Sequence, residues 1–136
     1  MTTEPSRQTG PVELRLPPEP ASVSRARHEV REFVEALGAE SAEIGLAVTE
    51  AVSNAVAHGF RDGRNGTIVV RVETLVPDTL AVTVCDDGLG ISPNMHREGL
   101  GLGLAMIGRL TSDLEISAQP PHGTRVHMRF PLVRPA

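Results

Sequence analysis

Lysine is absent from this 136-residue sequence, in which all thirteen basic residues are arginines. A Walker A phosphate loop, the lysine of eukaryotic-type protein kinases and a pyridoxal Schiff base each require an amine side chain, so these chemistries are excluded. Tryptophan and tyrosine are also absent, and three phenylalanines are the only aromatic residues. With a net charge of -4, the chain lacks both the stacking rings and the positive charge typical of nucleic-acid binding. We therefore expect no direct contact with nucleic acid.

Cysteine and long apolar runs are equally scarce. Cys85 has no second cysteine to pair with, which excludes an internal disulfide and a cysteine-rich zinc site and favours a reducing cytoplasm. No apolar run approaches the ~18 residues of a membrane helix, and the polar first residues do not resemble a secretion signal, so we expect no membrane contact. A hydrophobic fraction of 40% is ordinary for one globular domain. We expect a mobile tail over residues 1–11 and a single domain over residues 12–136.

Hydrophobic periodicity divides that domain into strands and helices. Helical spacing predicts one helix with Ser22 or Ser24 as its N-cap and Gly38 at its end, and a second between Ser41 and Gly59. A third helix is expected to follow a glycine run and continue to residue 110. Period-two alternation predicts strands at 12–16, 68–75, 80–85, 114–118 and 124–130, with turns at 77–78 and 120–123.

Three polar side chains follow the border of the apolar stripe on the second helix. Glu50 and Asn54 lie one turn apart, so their side chains share a face, and His58 follows at the same spacing. A carboxamide oxygen suits a hard cation, and a nearby carboxylate suits a general base. The alternative for Glu50 and Asn54 is a solvated helix edge. For His58 a metal ligand is one interpretation, and a histidine that ends the helix is the favoured one.

An acidic and glycine-rich segment follows the strand predicted at 80–85. Period-two alternation puts Asp86 on the buried face at the strand's end and Asp87 on the opposite face. A sunken carboxylate can accept a hydrogen bond from an exocyclic amine, and Gly88 and Gly90 would let the backbone approach a flat ring. The alternative is an acidic turn between strand and loop.

A third motif, the glycine run Gly99, Gly101 and Gly103, opens the last predicted helix. Exposed backbone N–H groups at such a helix start attract phosphate. Its GxGxG spacing, the lack of lysine and its position after a loop exclude the Rossmann and P-loop interpretations. Close helix packing is the alternative.

Taken in order, these motifs resemble the N, G1 and G2 boxes of the GHKL ATPase superfamily, which includes gyrase, Hsp90, histidine kinases and MutL. Within it, LAVTEAVSNAVAHGF at 46–60 and VCDDGLGI at 84–91 are most similar to anti-sigma-factor serine/threonine kinases. The resemblance covers residues 12–132. It implies an α+β fold, a two-layer Bergerat-type sandwich with helices on one face of a mixed, mainly antiparallel sheet. The matching residues are Glu50…Asn54, Asp86-x-Gly88-x-Gly90, Gly101-x-Gly103-Leu104 and Gly123-Thr124.

The resemblance implies a role for each matched residue, with ATP and Mg²⁺ as cofactors. Glu50 would be the catalytic general base, and Asn54 would bind Mg²⁺ that bridges the phosphates. Asp86 would accept from the adenine amino group with support from Thr124, and Arg97 could reach the phosphates. The remaining cofactor-binding positions are Gly88 and Gly90 at the adenine, and Gly101, Gly103 and Leu104 at the phosphates.

The function implied by the resemblance is Mg-ATP-dependent phosphorylation of an anti-anti-sigma (STAS-type) protein on serine or threonine, coupled to reversible capture of an RNA polymerase sigma factor. Only residues 92–98 separate the G1 and G2 boxes, and such a short lid would make transfer slow. The alternatives are a nucleotide-gated binding module without efficient transfer, and a histidine-kinase catalytic domain acting in trans. His28 is disfavoured as a phospho-acceptor because no proline follows its motif. Members of the group often form homodimers, which composition does not test.

Overall fold

The computed structural model describes residues 10–59, 66–88 and 106–135. The first nine residues of the expected tail lie outside this description, and the tail stays a prediction. Residues 106–110 are helical, as expected for the end of the third helix. The other elements are β1 (Val12–Leu16), α1 (Pro20–Ala36), α2 (Ala42–Asn54), a π-helical turn (Ala55–Gly59), β2 (Ile68–Leu75), β3 (Thr79–Asp86), β4 (Asp113–Ala118) and β5 (Thr124–Pro131).

The five strands form one sheet in the order β1-β2-β3-β5-β4. The expected α+β class is confirmed, but the expectation of a mixed sheet needs correction, because all four pairings among the described strands are antiparallel. Tight turns connect β2 to β3 and β4 to β5, and tight turns produce antiparallel neighbours. Strands β3 and β4 run in the same direction, yet β5 lies between them, so they do not pair.

Helices α1 and α2 pack against each other and bury one face of the sheet. Strand residues alternate between this face and the other, so that in β5 Val126, Met128 and Phe130 are buried while Arg129 is exposed. Each large buried aliphatic or aromatic side chain contributes about 1.5–3 kcal/mol of transfer free energy. Among the described residues, the largest fully buried side chains are Phe130, Leu16, Ile68, Leu80, Ile107 and Met128.

The start of α1 differs from the expectation. Its N-cap is Glu19 and Pro20 follows at the first helical turn, so the prediction of Ser22 or Ser24 as the cap is wrong. Proline is favoured there because its fixed φ suits a helix and its missing N–H would have had no partner. The Ser22 hydroxyl instead donates to the Pro17 carbonyl oxygen at 2.6 Å. The helix therefore begins earlier than its serines suggest.

The α1–α2 junction is confirmed in position. Gly38 has a φ of 75°, the left-handed conformation with which many helices end. Ser41 is the N-cap residue of α2, but its hydroxyl makes no capping bond; it donates to the Glu35 carboxylate and accepts from Arg31 Nε at 2.9 Å. This serine therefore ties α2 back to the last turns of α1. In the part of the chain that the structure describes, no helix has the length and apolarity to cross a membrane.

Candidate functional site

Asp86 is the last residue of β3 and lies on the buried face, as alternation predicted. Its side chain is buried, with the residue 6% exposed, while the neighbouring Asp87 is exposed. The backbone N–H of Gly88 donates to Asp86 Oδ1 at 2.9 Å. In the sheet register Asp86 stands opposite Thr124 of β5 and Ile68 of β2. The carboxylate is thus fixed at the end of the central strand, beside the core.

Burial raises the pKa of Asp86, because desolvation penalises the charged form. The backbone N–H groups of Gly88 and Thr124 act in the opposite direction and lower this pKa, and the Asp87 charge raises it. A carboxylate in these surroundings is a strong acceptor for any donor that a ligand brings, because water does not compete. This charge costs the fold stability, a common signature of a functional site.

Gly123 closes the β4–β5 turn against the end of β3. Its φ is +120°, and a Cβ built there would stand 1.9 Å from the Asp86 carbonyl oxygen, so no larger residue fits without movement. His122 Nδ1 donates to the Gly88 carbonyl oxygen at 3.1 Å from the same turn. The motif match included Gly123, but the residue patterns did not predict this close approach. The site therefore depends on a turn that is remote in sequence.

Asp87 has a structural role that the residue patterns missed. Its Oδ1 accepts a hydrogen bond from the Thr67 backbone N–H at 2.9 Å, just before β2 begins. This bond links the chain after β3 to the chain before β2. Because the Thr67 N–H is 20 positions away in the sequence, no local turn pattern indicated this bond.

Glu50 and Asn54 lie one turn apart on α2, and Asn54 is its last residue. Both are half-buried. Asn54 Nδ2 is buried and has no hydrogen-bond partner within the described residues. Leaving a buried polar group unpaired costs about 1–3 kcal/mol, so the amide fits a role in binding a polar ligand. This observation favours the functional interpretation of the helix edge over a solvated surface.

The helix continues past Asn54 as the π-helical turn Ala55–Gly59. Single π-helical turns are rare and occur frequently at functional sites. The α-helical spacing used to place His58 does not extend through this turn. The His58 side chain lies outside the described residues, so neither interpretation of it is tested.

His28 is on the exposed part of α1 and pairs with a residue of its own helix. Its Nε2 lies 3.3 Å from the Glu32 carboxylate, one turn further along. Such i,i+4 pairs are common on helix surfaces. His28 is therefore a surface residue with a partner on its own helix.

Half of the predicted site can be placed. Glu50 and Asn54 occupy one edge of α2, and Asp86, Gly88 and Thr124 cluster where β3 meets β5. The segment between the G1 and G2 boxes is outside the described residues. The predicted site residues outside the description are Gly90, Arg97, Gly101, Gly103 and Leu104.

Comparison with known proteins finds a family and several relatives. The family described as histidine kinase-like ATPase domain matches residues 16–130. An anti-sigma F factor of Bacillus licheniformis is 31% identical over 101 residues, covering 65% of this chain and 68% of that protein. An anti-sigma F factor of Bacillus subtilis strain 168 is 30% identical over 121 residues, covering 77% and 81%. The crystal structure of the RsbU and RsbW domains of Rv1364c from Mycobacterium tuberculosis gives a TM-score of 0.74 at 30% identity, covering 94% of this chain and 34% of that one.

Proposed function

Because the chain belongs to the histidine kinase-like ATPase domain family and has anti-sigma factors among its relatives, we propose that it is a Mg-ATP-dependent serine/threonine protein kinase. Its substrate is an anti-anti-sigma protein of STAS type, and it reversibly holds an RNA polymerase sigma factor. With these partners, the proposed location is the cytoplasm. Homodimerisation stays a prediction. The observation that carries the proposal is the buried Asp86 carboxylate at the end of β3.

Asp86 is proposed to recognise the adenine ring. Its carboxylate accepts the hydrogen bond of the exocyclic amino group, and the Gly88 N–H at 2.9 Å holds Oδ1 in place. Thr124, opposite in the register, supports the same carboxylate through its backbone N–H. A guanine ring presents a carbonyl oxygen where adenine has the amine, so an ionised Asp86 would repel it. The site therefore selects ATP over GTP.

Asn54 is proposed as the protein's ligand to Mg²⁺. Its buried Nδ2, which has no partner within the described residues, is a hydrogen-bond donor and suits a phosphate oxygen. The other amide atom, Oδ1, is therefore the one proposed to hold the ion. Mg²⁺ usually keeps waters and substrate phosphates as its other ligands, so one amide oxygen is a sufficient protein contribution. When bound, the ion neutralises charge on the phosphates.

Glu50 is proposed as the general base. It lies four residues before Asn54 on the same face, a separation of about 6 Å along the helix axis. The carboxylate takes the proton of the partner's serine or threonine hydroxyl while that oxygen bonds to the γ-phosphorus and ADP leaves. The products are a phosphorylated partner, ADP and a protonated Glu50, which returns its proton to solvent.

Transfer of labelled phosphate tests the proposal. The chain is incubated with γ-labelled ATP, Mg²⁺ and each purified STAS-type protein of the same organism. We expect label on a serine or threonine of one of them. The Glu50→Ala variant should lose transfer, with an ATP dissociation constant within about twofold of the unmodified chain, because Glu50 acts on the hydroxyl. The matched control Glu115→Ala, an exposed carboxylate on β4, should transfer normally.

Two outcomes contradict this assignment. If Glu50→Ala weakens ATP binding as much as transfer, Glu50 is not the base. If the unmodified chain binds ATP tightly but labels no STAS-type protein, the nucleotide-gated binding module is the correct function.

A further inference from the structure

A cavity separate from Asp86 opens beside the first turn of α2. Its volume is about 290 Å³. It is lined by Ile44 of α2, by Leu110 at the end of the 106–110 helix and by Phe130 of β5, together with the polar residues Glu40 and Glu43. Ile44 and Phe130 are buried, whereas both glutamates are exposed. The cavity thus combines an apolar floor with an acidic rim. It lies near the small end of the range for ligand pockets, about 300–1,000 Å³, and suits a side chain better than a cofactor.

The acidic rim carries charge that the described residues leave unneutralised. Among residues 10–59, 66–88 and 106–135, neither Glu40 nor Glu43 forms an ion pair. Some other exposed acids are paired: Glu35 lies 3.5 Å from Arg31, and Asp78 lies 3.1 Å from Arg134. An acidic rim attracts cations and repels phosphates and nucleic acids. The complementary partner carries arginine or lysine beside an apolar side chain.

The cavity shares a helix face with the proposed general base. Glu43 and Glu50 are seven residues apart on α2, two helical turns and about 10 Å along the axis, and point in nearly the same direction. Leu46 lies between them and is 45% exposed, large for a side chain of its type. A polypeptide that leaves the cavity can therefore cross Leu46 and reach Glu50 within about three extended residues.

We propose that this cavity is the docking pocket for the phospho-acceptor protein. It receives one apolar side chain of that protein, flanked by a basic residue that meets Glu40 and Glu43. The acceptor hydroxyl then lies about 10 Å away, at Glu50. The inference rests on the proposed kinase function and adds to it the chemistry of the substrate surface. Docking at a distance lets the chain select its substrate without altering the nucleotide site.

Substrate kinetics test the pocket with two variants outside the nucleotide site. Glu40→Arg reverses a rim charge just before α2, and Ala42→Trp fills the mouth from an exposed position. Each is expected to raise the KM for the STAS-type substrate about tenfold, with kcat and ATP affinity within about twofold of the unmodified chain. Glu115→Arg, a charge reversal on β4, should change none of these. Thermal unfolding verifies that each variant is folded.

A charge exchange makes the test sharper. Arginine and lysine residues of the substrate are replaced singly by glutamate, and one replacement should restore the KM of Glu40→Arg while raising that of the unmodified chain. The inference is overturned if Glu40→Arg and Ala42→Trp both keep the original KM. It is also overturned if Ala42→Trp weakens self-association of the chain but leaves KM unchanged, because a second copy would then occupy the pocket. Absence of label with the unmodified chain is a different result, and it rejects the kinase function itself.

Discussion

Replacing Asp86 with asparagine should separate ATP binding from folding. The side chain is buried and Oδ1 accepts the Gly88 N–H at 2.9 Å. Asparagine keeps a carbonyl oxygen for that N–H and occupies nearly the same volume. The other carboxylate oxygen, Oδ2, becomes an amide N–H₂ group in asparagine. This donor would face the amino-group donor of adenine. The substitution therefore removes recognition while preserving the local backbone.

The expected loss of affinity follows from one hydrogen bond. A hydrogen bond to a charged group is worth about 1.5–3 kcal/mol, so ATP should bind about 10–150-fold more weakly to Asp86→Asn. Stability should not fall, because burial raises the pKa of Asp86 and the ionised carboxylate is disfavoured in the folded chain. A raised pKa means that this group's stabilising contribution is present below its ordinary pKa and lost as pH rises through the raised value. ATP affinity should change in the opposite direction over the same interval, since binding needs the ionised form.

Equilibrium dialysis with labelled ATP, repeated at several pH values, measures the ATP affinity. Thermal unfolding at the same pH values measures the stability. Asp113→Asn, an exposed carboxylate at the start of β4, is the matched control and should change neither. ATP also titrates with pH, but it does so equally with both proteins. The difference in pH dependence between the unmodified chain and Asp86→Asn therefore reports on Asp86 alone. Asp86 does not recognise adenine if Asp86→Asn binds ATP as tightly as the unmodified chain does. A melting temperature that falls together with the ATP affinity would show instead that the substitution disturbs the fold.

Two further predictions concern stability. Gly123→Ala should reduce the free energy of unfolding by roughly 3 kcal/mol and lower the melting temperature by about 10 °C, because the new Cβ would meet the Asp86 carbonyl oxygen in a strained backbone. The control Gly10→Ala, where a Cβ would have nothing within 4 Å, should leave the melting temperature unchanged. Equal melting temperatures for the two variants would contradict this prediction. Burial, followed by the charges of neighbouring arginines, lowers the pKa of His127, whose Nδ1 lies 2.8 Å from Thr83 Oγ1. The contribution of His127 to stability should be present above the ordinary histidine pKa and lost as pH falls through the lowered value. Urea unfolding of His127→Gln at several pH values should lack this part of the pH dependence.

The strands were predictable because one face of the sheet is buried. Alternation gave the bounds of β1 and β2 as the structure has them, and it put Asp86 on the core side. The start of α1 was not predictable from cap preferences, since Pro20 begins the helix and the Ser22 hydroxyl bonds to Pro17 instead. Local sequence patterns therefore predict an element well where buried residues repeat along it, and they predict its end poorly where a single turn sets that end.

The candidate site divides in the same way. The spacing of Glu50 and Asn54 follows from helix geometry alone, so the sequence was sufficient to put them on one face. The need for glycine at Gly123 arises from a contact with Asp86, 37 positions earlier, which no local pattern contains. The pocket near Ile44 likewise needs three separate parts of the chain to form. Both features arise from contacts between residues that are distant in the sequence, and a local sequence pattern does not predict such contacts.

Calorimetric titration of the chain with ATP, in the presence and absence of millimolar Mg²⁺, measures whether the chain binds the nucleotide and whether the ion strengthens that binding. We expect saturable binding of ATP that strengthens with Mg²⁺ and is not reproduced by GTP. Absence of measurable binding under both conditions, or equal binding of ATP and GTP, would contradict it.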